Sequence, residues 1–408
     1  MTRDDKIESV SSVVSCVSNV VLFLIPGYLL SVLLRKPIHR GSPVFVSIEP
    51  TNHCNLHCPE CPTGQRGLTR AAGSLSLNDF RKYLDQISRC LRYLTLYFQG
   101  EPYLNRDLFK MIEYARGKNI YVWSSTNGHF LSEENIRETI ASGLNKLVIS
   151  LDGTDQETYQ QYRVSGSYQR VVEGLRDFVR IRNEAGIRLP HLEIQFLVLK
   201  SNEHQIKEIK KLGNSLGVDR VVLKTAQFCD FEYGNPLMPE GRWSRYKRTG
   251  RQADKQTSGQ ADDQIIIKSA HQHISTSSHH HINKSTHQHI TTSSHHHINT
   301  SSHHHINTSS HHHINTSPHQ HIITSPHQHI IKHPLRNRCF RMWAGCVITW
   351  DGKVVPCCFD KDAAHALGDL NKQSFGEIWR GEAYRQFRHS VFINRKSVEI
   401  CRNCSQRW

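Results

Sequence analysis

The sequence predicts an α/β fold: six parallel strands with helices between them, then a small hairpin-plus-helix domain. Three observations carry this. From Ser42 onward short β-rich runs alternate with amphipathic helical patterns. Near Arg245 the alternation gives way to a His-rich repeat, and after Pro334 a cysteine-punctuated, ordered texture returns. Strand–helix alternation produces a parallel sheet, and six strands fall short of the eight that close a (β/α)8 barrel.

The N-terminal segment, 1–41, is apolar, with no charged residue from Ser9 to Leu34. That length could cross a bilayer. Six polar residues between Ser9 and Asn19 and the Pro26-Gly27 pair point instead to a packed or membrane-surface pair of helices. Both readings of 9–34 stand. Arg35, Lys36 and Arg40 follow, and by the positive-inside rule they leave the next domain cytoplasmic, on the cytoplasmic face if a membrane is involved.

In 42–244 the expected strands are Val44–Glu49, Tyr93–Phe98, Ile120–Thr126, Lys146–Leu151, Leu192–Leu199 and Arg220–Leu223. The expected helices are Leu77–Cys90, Asp107–Arg116, Ser132–Ser142, Tyr168–Ala185 and Gln205–Leu216. Ser76 and Ser132 suit N-caps, while Gly143 and Gly217 suit helix C-termini.

Residues 245–334 have a different texture. From His271 an eight-residue unit recurs with one or two isoleucines per copy, too few to bury a core, so disorder is expected. The tract could bind Zn, Ni or Cu through its His-x-His clusters. Its near-identical units favour an expanded tandem repeat in a tolerant linker. In 335–408, Asp351-Gly352 between apolar runs signals a hairpin. A helix over Ser374–Arg388 follows, and Cys401-Arg402-Asn403-Cys404 comes near the end.

Hydrophobic content is 37% of 408 residues, lowered by the repeat. The formal charge of +15 comes mainly from outside it, because histidine is counted neutral and the repeat holds only Lys284 and Lys332. No nucleic-acid motif with interleaved aromatics accompanies that charge, so no nucleic acid is expected as partner. Of the twelve cysteines, Cys16, Cys90 and Cys229 stand apart as small apolar residues, while nine cluster, as 54/58/61, 339/346/357/358 and 401/404. That is the pattern of metal ligands rather than of a small secreted disulfide scaffold, and it calls for a reducing compartment.

Cys54, Cys58 and Cys61 sit on the loop leaving the first strand, spaced C-x3-C-x2-C. Three soft thiolates suit an iron–sulfur cluster; a zinc site would want a fourth ligand and usually a second C-x2-C pair. This spacing resembles the signature of the radical S-adenosylmethionine (radical SAM) superfamily. The resemblance implies a partial (β/α)6 TIM-like barrel. It also implies a [4Fe–4S] cluster on the three cysteines, with its open iron chelated by S-adenosylmethionine (AdoMet).

Further motifs match that family in order after successive strands. Gln99-Gly100-Glu101-Pro102 resembles its Gly-Gly-Glu motif, with glutamine for the first glycine, and Glu101 would bind the methionine ammonium. Ser125-Thr126-Asn127-Gly128 ends the third strand and adds Asn127 to the candidates. Ser150 and Asp152 match the ribose motif, and Arg163 resembles the arginine that neutralises the methionine carboxylate. Gln195 and the backbone at Val198 would face the adenosine. Glu60 departs from the family pattern, standing where a bulky apolar residue often packs on adenine.

At the other end Cys339, Cys357, Cys401 and Cys404 look like the ligands of a SPASM/Twitch-type auxiliary cluster domain. Cys357 and Cys358 are alternatives for one position, and a four-cysteine zinc ribbon is the competing reading. Four thiolates would complete an auxiliary [4Fe–4S] cluster with no open iron, suited to electron transfer. The resemblance implies reductive cleavage of AdoMet and hydrogen abstraction by a 5′-deoxyadenosyl radical, using a donor such as flavodoxin or ferredoxin. The expected outcome is an oxidoreductase or maturase acting on a peptide or small molecule. The alternative class is a metal-storage or electron-transfer protein without radical chemistry.

Overall fold

The structure is a computed structural model that describes residues 16–229, 231–249 and 336–404, with five short strands between 288 and 331. The described chain divides into two compact units. The larger takes in 16–229, 236–245 and 336–404, so the strand–helix array and the C-terminal segment belong to one body.

The larger unit opens with helix α1, Cys16–Leu34. Sequence reading expects a break at Pro26-Gly27, but the helix runs through. Proline has no N–H to give, and the turn before it, Asn19–Leu24, is a π turn in which Ile25 N–H bonds Val20 O. The wider turn accommodates the missing donor.

Next come β1 (Phe45–Ile48), α2 (Leu77–Asp85), β2 (Tyr93–Thr95), α3 (Leu108–Gly117), β3 (Tyr121–Thr126), α4 (Glu133–Ala141) and β4 (Lys146–Ser150). After β4 lies α5 (Gln156–Tyr162), which the sequence reading omits, then α6 (Tyr168–Glu184), β5 (His191–Val198), α7 (Ile206–Leu216) and β6 (Arg220–Thr225). Ser76 and Ser132 cap α2 and α4 by accepting from Asp79 N–H and Asn135 N–H. Gly217 ends α7 in the left-handed conformation.

The C-terminal segment supplies β7 (Gly345–Ile348), β8 (Lys353–Val355), β9 (Gly368–Asp369), α8 (Phe375–Arg380) and α9 (Glu382–Asn394). The single helix expected over Ser374–Arg388 is thus two, because Gly381 is extended (ψ 168°) between them. Sheet order is β9-β8-β7-β1-β2-β3-β4-β5-β6. The six array strands are parallel to their neighbours, β7 joins β1 in parallel, and β8 and β9 add antiparallel. The hairpin therefore extends the array's own sheet. Glu49, at the end of β1, accepts two bonds from Arg70 (2.5 and 2.6 Å) and one from Trp350 N–H (3.2 Å), locking hairpin to array.

In the second unit Phe231 stacks on Tyr246 with centroids 4.9 Å apart. Within the repeat, His312–Asn315 pairs in parallel with His296–Asn299, an offset of two repeat units. The expected disorder and metal binding of the tract otherwise fall outside the described residues.

Candidate active site

In a parallel array the C-terminal strand ends converge, and there the loops from β1 to β6 enclose a cavity of about 430 Å³, within the usual range of roughly 300–1,000 Å³ for small-molecule sites. Cys54, Cys58 and Cys61 all line it.

The thiol loop is fixed by its neighbours. Glu101 N–H donates to His53 O (2.7 Å), Asn127 Nδ2 to Asn55 Oδ1 (2.7 Å), and His57 N–H to Val164 O (3.1 Å). Gly100 is obligatory: its φ is +75°, and a Cβ there would sit 2.5 Å from Thr51 O. Glu60 also lines the cavity, where its carboxylate accepts from Cys229 N–H at 3.1 Å. It ties the thiol loop to the segment after β6.

Gln99, Gly100, Glu101, Asn127, Ser150, Arg163 and Gln195 line the same cavity. Glu101 is buried and accepts from Asn127 N–H (2.7 Å), Thr126 Oγ1 (2.8 Å) and Tyr103 N–H (3.2 Å). Burial nevertheless pushes its carboxyl up to about 7. Asp152 and Val198 are not in the lining. Both carboxylate oxygens of Asp152 are engaged, one by Arg163 Nε (2.6 Å) and the other by Leu197 N–H (2.6 Å). Its part in the geometry is to aim Arg163. The Val198 side chain is fully buried.

Burial pushes the Cys54 thiol up to about 11, and it raises Cys58 despite the opposing charge of Arg163. Such thiols ionise readily only against added positive charge, which iron supplies. Among the described residues no three His, Cys, Asp or Glu side chains converge on one point as a single-ion site requires. An iron–sulfur cube spreads its cysteines, because each thiolate binds a different iron. A loop of three cavity-lining thiols beside a buried carboxylate and an arginine fits a cluster with a zwitterionic ligand.

The second cysteine set comes from the segments that flank the hairpin and from the helical turn at Glu399–Arg402. Cys339, Cys401 and Cys404 are buried, and Cys357 packs in the same apolar group as Cys339 and Cys401, with Trp343, Val391 and Phe392. Cys358 instead packs with Phe98, Val347 and Val355. Burial pushes Cys401 up to about 11 against the opposing charge of Arg395, and burial with the adjacent Cys358 raises Cys357 strongly. Arg395 Nη2 lies 3.4 Å from Cys404 Sγ. Cys346 on β7 faces the main core.

Sequence reasoning missed several residues at these sites. Tyr97, Lys224, Arg245 and Lys361 line the cavity. Lys224 was within reach of strand-end logic, but the expected strand stopped at Leu223. Arg245 and Lys361 come from distant segments that carry no motif.

Comparison with known proteins agrees with this architecture. Residues 48–212 match the model of the radical SAM superfamily, and 339–405 match that of the SPASM iron-sulfur cluster-binding domain. The AdoMet-dependent heme synthase of Methanosarcina barkeri is 26% identical over 178 residues, 43% of this chain and 49% of that protein. The pre-heme d1 synthase of Dinoroseobacter shibae is 28% identical over 218 residues, 53% and 51% respectively. The chain thus spans about half the length of these relatives. Among solved structures, Streptococcus suis SuiB bound to its precursor peptide SuiA superposes with a TM-score of 0.52 at 13% identity, over 88% of this chain and 70% of that one. The AdoMet-bound anSMEcpe structure gives 0.50 at 13%, over 88% and 89%. The fold and site define an α/β protein that resembles known partial-barrel radical SAM folds and carries two sets of cysteines. The chain belongs to the radical SAM superfamily and carries a C-terminal SPASM-type cluster-binding domain.

Proposed function

We propose that the protein is a radical SAM enzyme that oxidises or otherwise modifies a peptide or small-molecule substrate carrying an anionic group. The observation that carries this reading is the shared cavity, in which Cys54, Cys58 and Cys61 meet Glu101, Ser150, Arg163 and Gln195. Cys54, Cys58 and Cys61 would hold a [4Fe–4S] cluster with one iron open, and Cys339, Cys357, Cys401 and Cys404 an auxiliary one. When bound, cluster and AdoMet supply one-electron cleavage of the sulfonium and a carbon radical able to take hydrogen from a C–H bond, the electron coming from a donor such as flavodoxin or ferredoxin.

The chain's own residues position the parts. Glu101 offers a buried carboxylate to the methionine ammonium, and Arg163 a guanidinium to its carboxylate. Ser150 and Gln195 offer hydrogen bonds to the ribose and adenine side. Asp152 keeps Arg163 in place. Lys224 and Lys361 are lining cations to which none of those roles falls, and Arg245, whose Nη2 donates to Thr225 O at 2.7 Å, stands in the same lining; their charge suits a carboxylate on the substrate. The enzyme domain is read as cytoplasmic.

The test is anaerobic reconstitution with reductant and AdoMet. The wild type should bind about eight irons, as two cubane clusters require, and release 5′-deoxyadenosine. Cys58→Ala should bind about half the iron and release none. Product formation that survives Cys58→Ala would overturn the reading.

A further inference from the structure

Helix α1 is amphipathic in the reverse of the usual sense. Its inward face is small and polar: Cys16, Asn19, Gly27 and Ser31 are buried, with Leu24 the one fully buried large apolar side chain. Asn19 exchanges two bonds with the Ser42 backbone (2.8 and 3.0 Å). Ser31 Oγ accepts from Ile38 N–H at 2.8 Å, and Cys16 Sγ donates to Cys90 O at 3.3 Å. Tyr28 adds edge contacts to Phe340 and Trp343, with centroids 5.1 and 5.5 Å apart.

The outward face carries the large apolar side chains. Val21, Leu22, Leu29, Leu30 and Leu33 are exposed, Leu22 to 63% and Leu33 to 76%. The hydrophobic effect places such residues outward only where something apolar covers them. Cations stand at both ends of the face: Arg35, Lys36 and Arg40 are exposed beyond its C-terminus, and exposed Arg89 adjoins Cys90 near its N-terminus. An apolar face bracketed by cations matches an anionic bilayer surface.

We propose that α1 is an in-plane membrane anchor, lying flat on an anionic lipid surface with its outer face in the acyl boundary and its inner face on the enzyme body. It does not span. A spanning helix is surrounded by lipid or other membrane segments, whereas the inner side of α1 is held to the folded body from Cys16, bonded to Cys90, to Tyr28, packed on Phe340 and Trp343. The inference is independent of the catalytic reading.

Co-sedimentation of the full chain with vesicles of phosphatidylcholine, with and without phosphatidylglycerol, tests it. The wild type should bind the anionic vesicles and be released by alkaline carbonate. A triple variant Leu22→Gln, Leu29→Gln, Leu33→Gln should lose roughly tenfold or more in vesicle affinity, with its iron content unchanged as the check on folding. A second variant, Arg35→Gln, Lys36→Gln, Arg40→Gln, should bind more weakly and with less dependence on salt. Wild type left in the supernatant, carbonate-resistant insertion, undiminished binding by the triple variant, or a soluble dimer that the triple variant dissolves would each overturn the proposal.

Discussion

Arg163 stands between an acid and a thiol: its Nε donates to Asp152 at 2.6 Å while its Nη1 lies 3.8 Å from Cys58 Sγ. Asp152 is held in turn by Leu197 N–H at 2.6 Å, so β5 sets the carboxylate, the carboxylate sets the guanidinium, and the guanidinium meets the thiol loop. Asp152→Asn leaves the shape intact but removes the charge that holds Arg163. Unpairing one partner of a buried ion pair costs about 3–5 kcal/mol. The variant should melt at lower temperature and bind AdoMet roughly ten- to a hundredfold more weakly, with iron content near wild type. Calorimetric titration and iron analysis check this.

Glu101 should make AdoMet binding pH-dependent. Burial raises its carboxyl from 4.5 to about 7, and only the ionised form attracts an ammonium. Affinity should therefore fall about tenfold per pH unit below 7, and at pH 7 binding should release about half a proton, visible as heats that vary with buffer ionisation enthalpy. In the ligand-free protein the same shift has the opposite sense, with stability falling as pH rises from 4.5 to about 7. Glu101→Gln should remove the acidic limb and leave weak, pH-flat binding.

His39 gives the body an acid limit. Burial, with Arg388 nearby, lowers it from 6.5 to about 3; its ring packs edge-on against Trp379 at 4.9 Å. Below pH 6.5 the unfolded chain takes a proton that the folded chain refuses. Stability from this group is thus complete above 6.5 and lost as pH falls toward 3, at about 1.4 kcal/mol per unit. Comparing melting temperatures of wild type and His39→Gln at pH 5 and pH 7.5 tests it: the variant should show the smaller difference.

Lys224 and Lys361 should bear on substrate and not on cofactor. A charge-assisted hydrogen bond is worth about 1.5–3 kcal/mol, so Lys224→Gln or Lys361→Gln should raise KM for an acidic substrate roughly ten- to a hundredfold. Substrate-free 5′-deoxyadenosine formation should be unchanged. Equal losses in both reactions would remove these lysines from substrate recognition.

The sequence by itself determined the cysteine spacing, the order of strands and helices, and the polar groups after each strand, because these follow from local spacing and periodicity along the chain. It therefore located the cavity's thiols and most of its lining. Only the tertiary structure decided which side chains face that cavity. Asp152 matches a ligand motif yet spends both oxygens on Arg163 and Leu197, and Glu60, an oddity within the motif, accepts from Cys229 N–H. The pairing of β7 with β1, and the outward turn of α1's leucines, likewise join or expose residues with no nearby sequence signal. The physical reason is the same in each case. Hydrogen-bond partners and burial are set by groups far apart in the chain, and only folding brings them together.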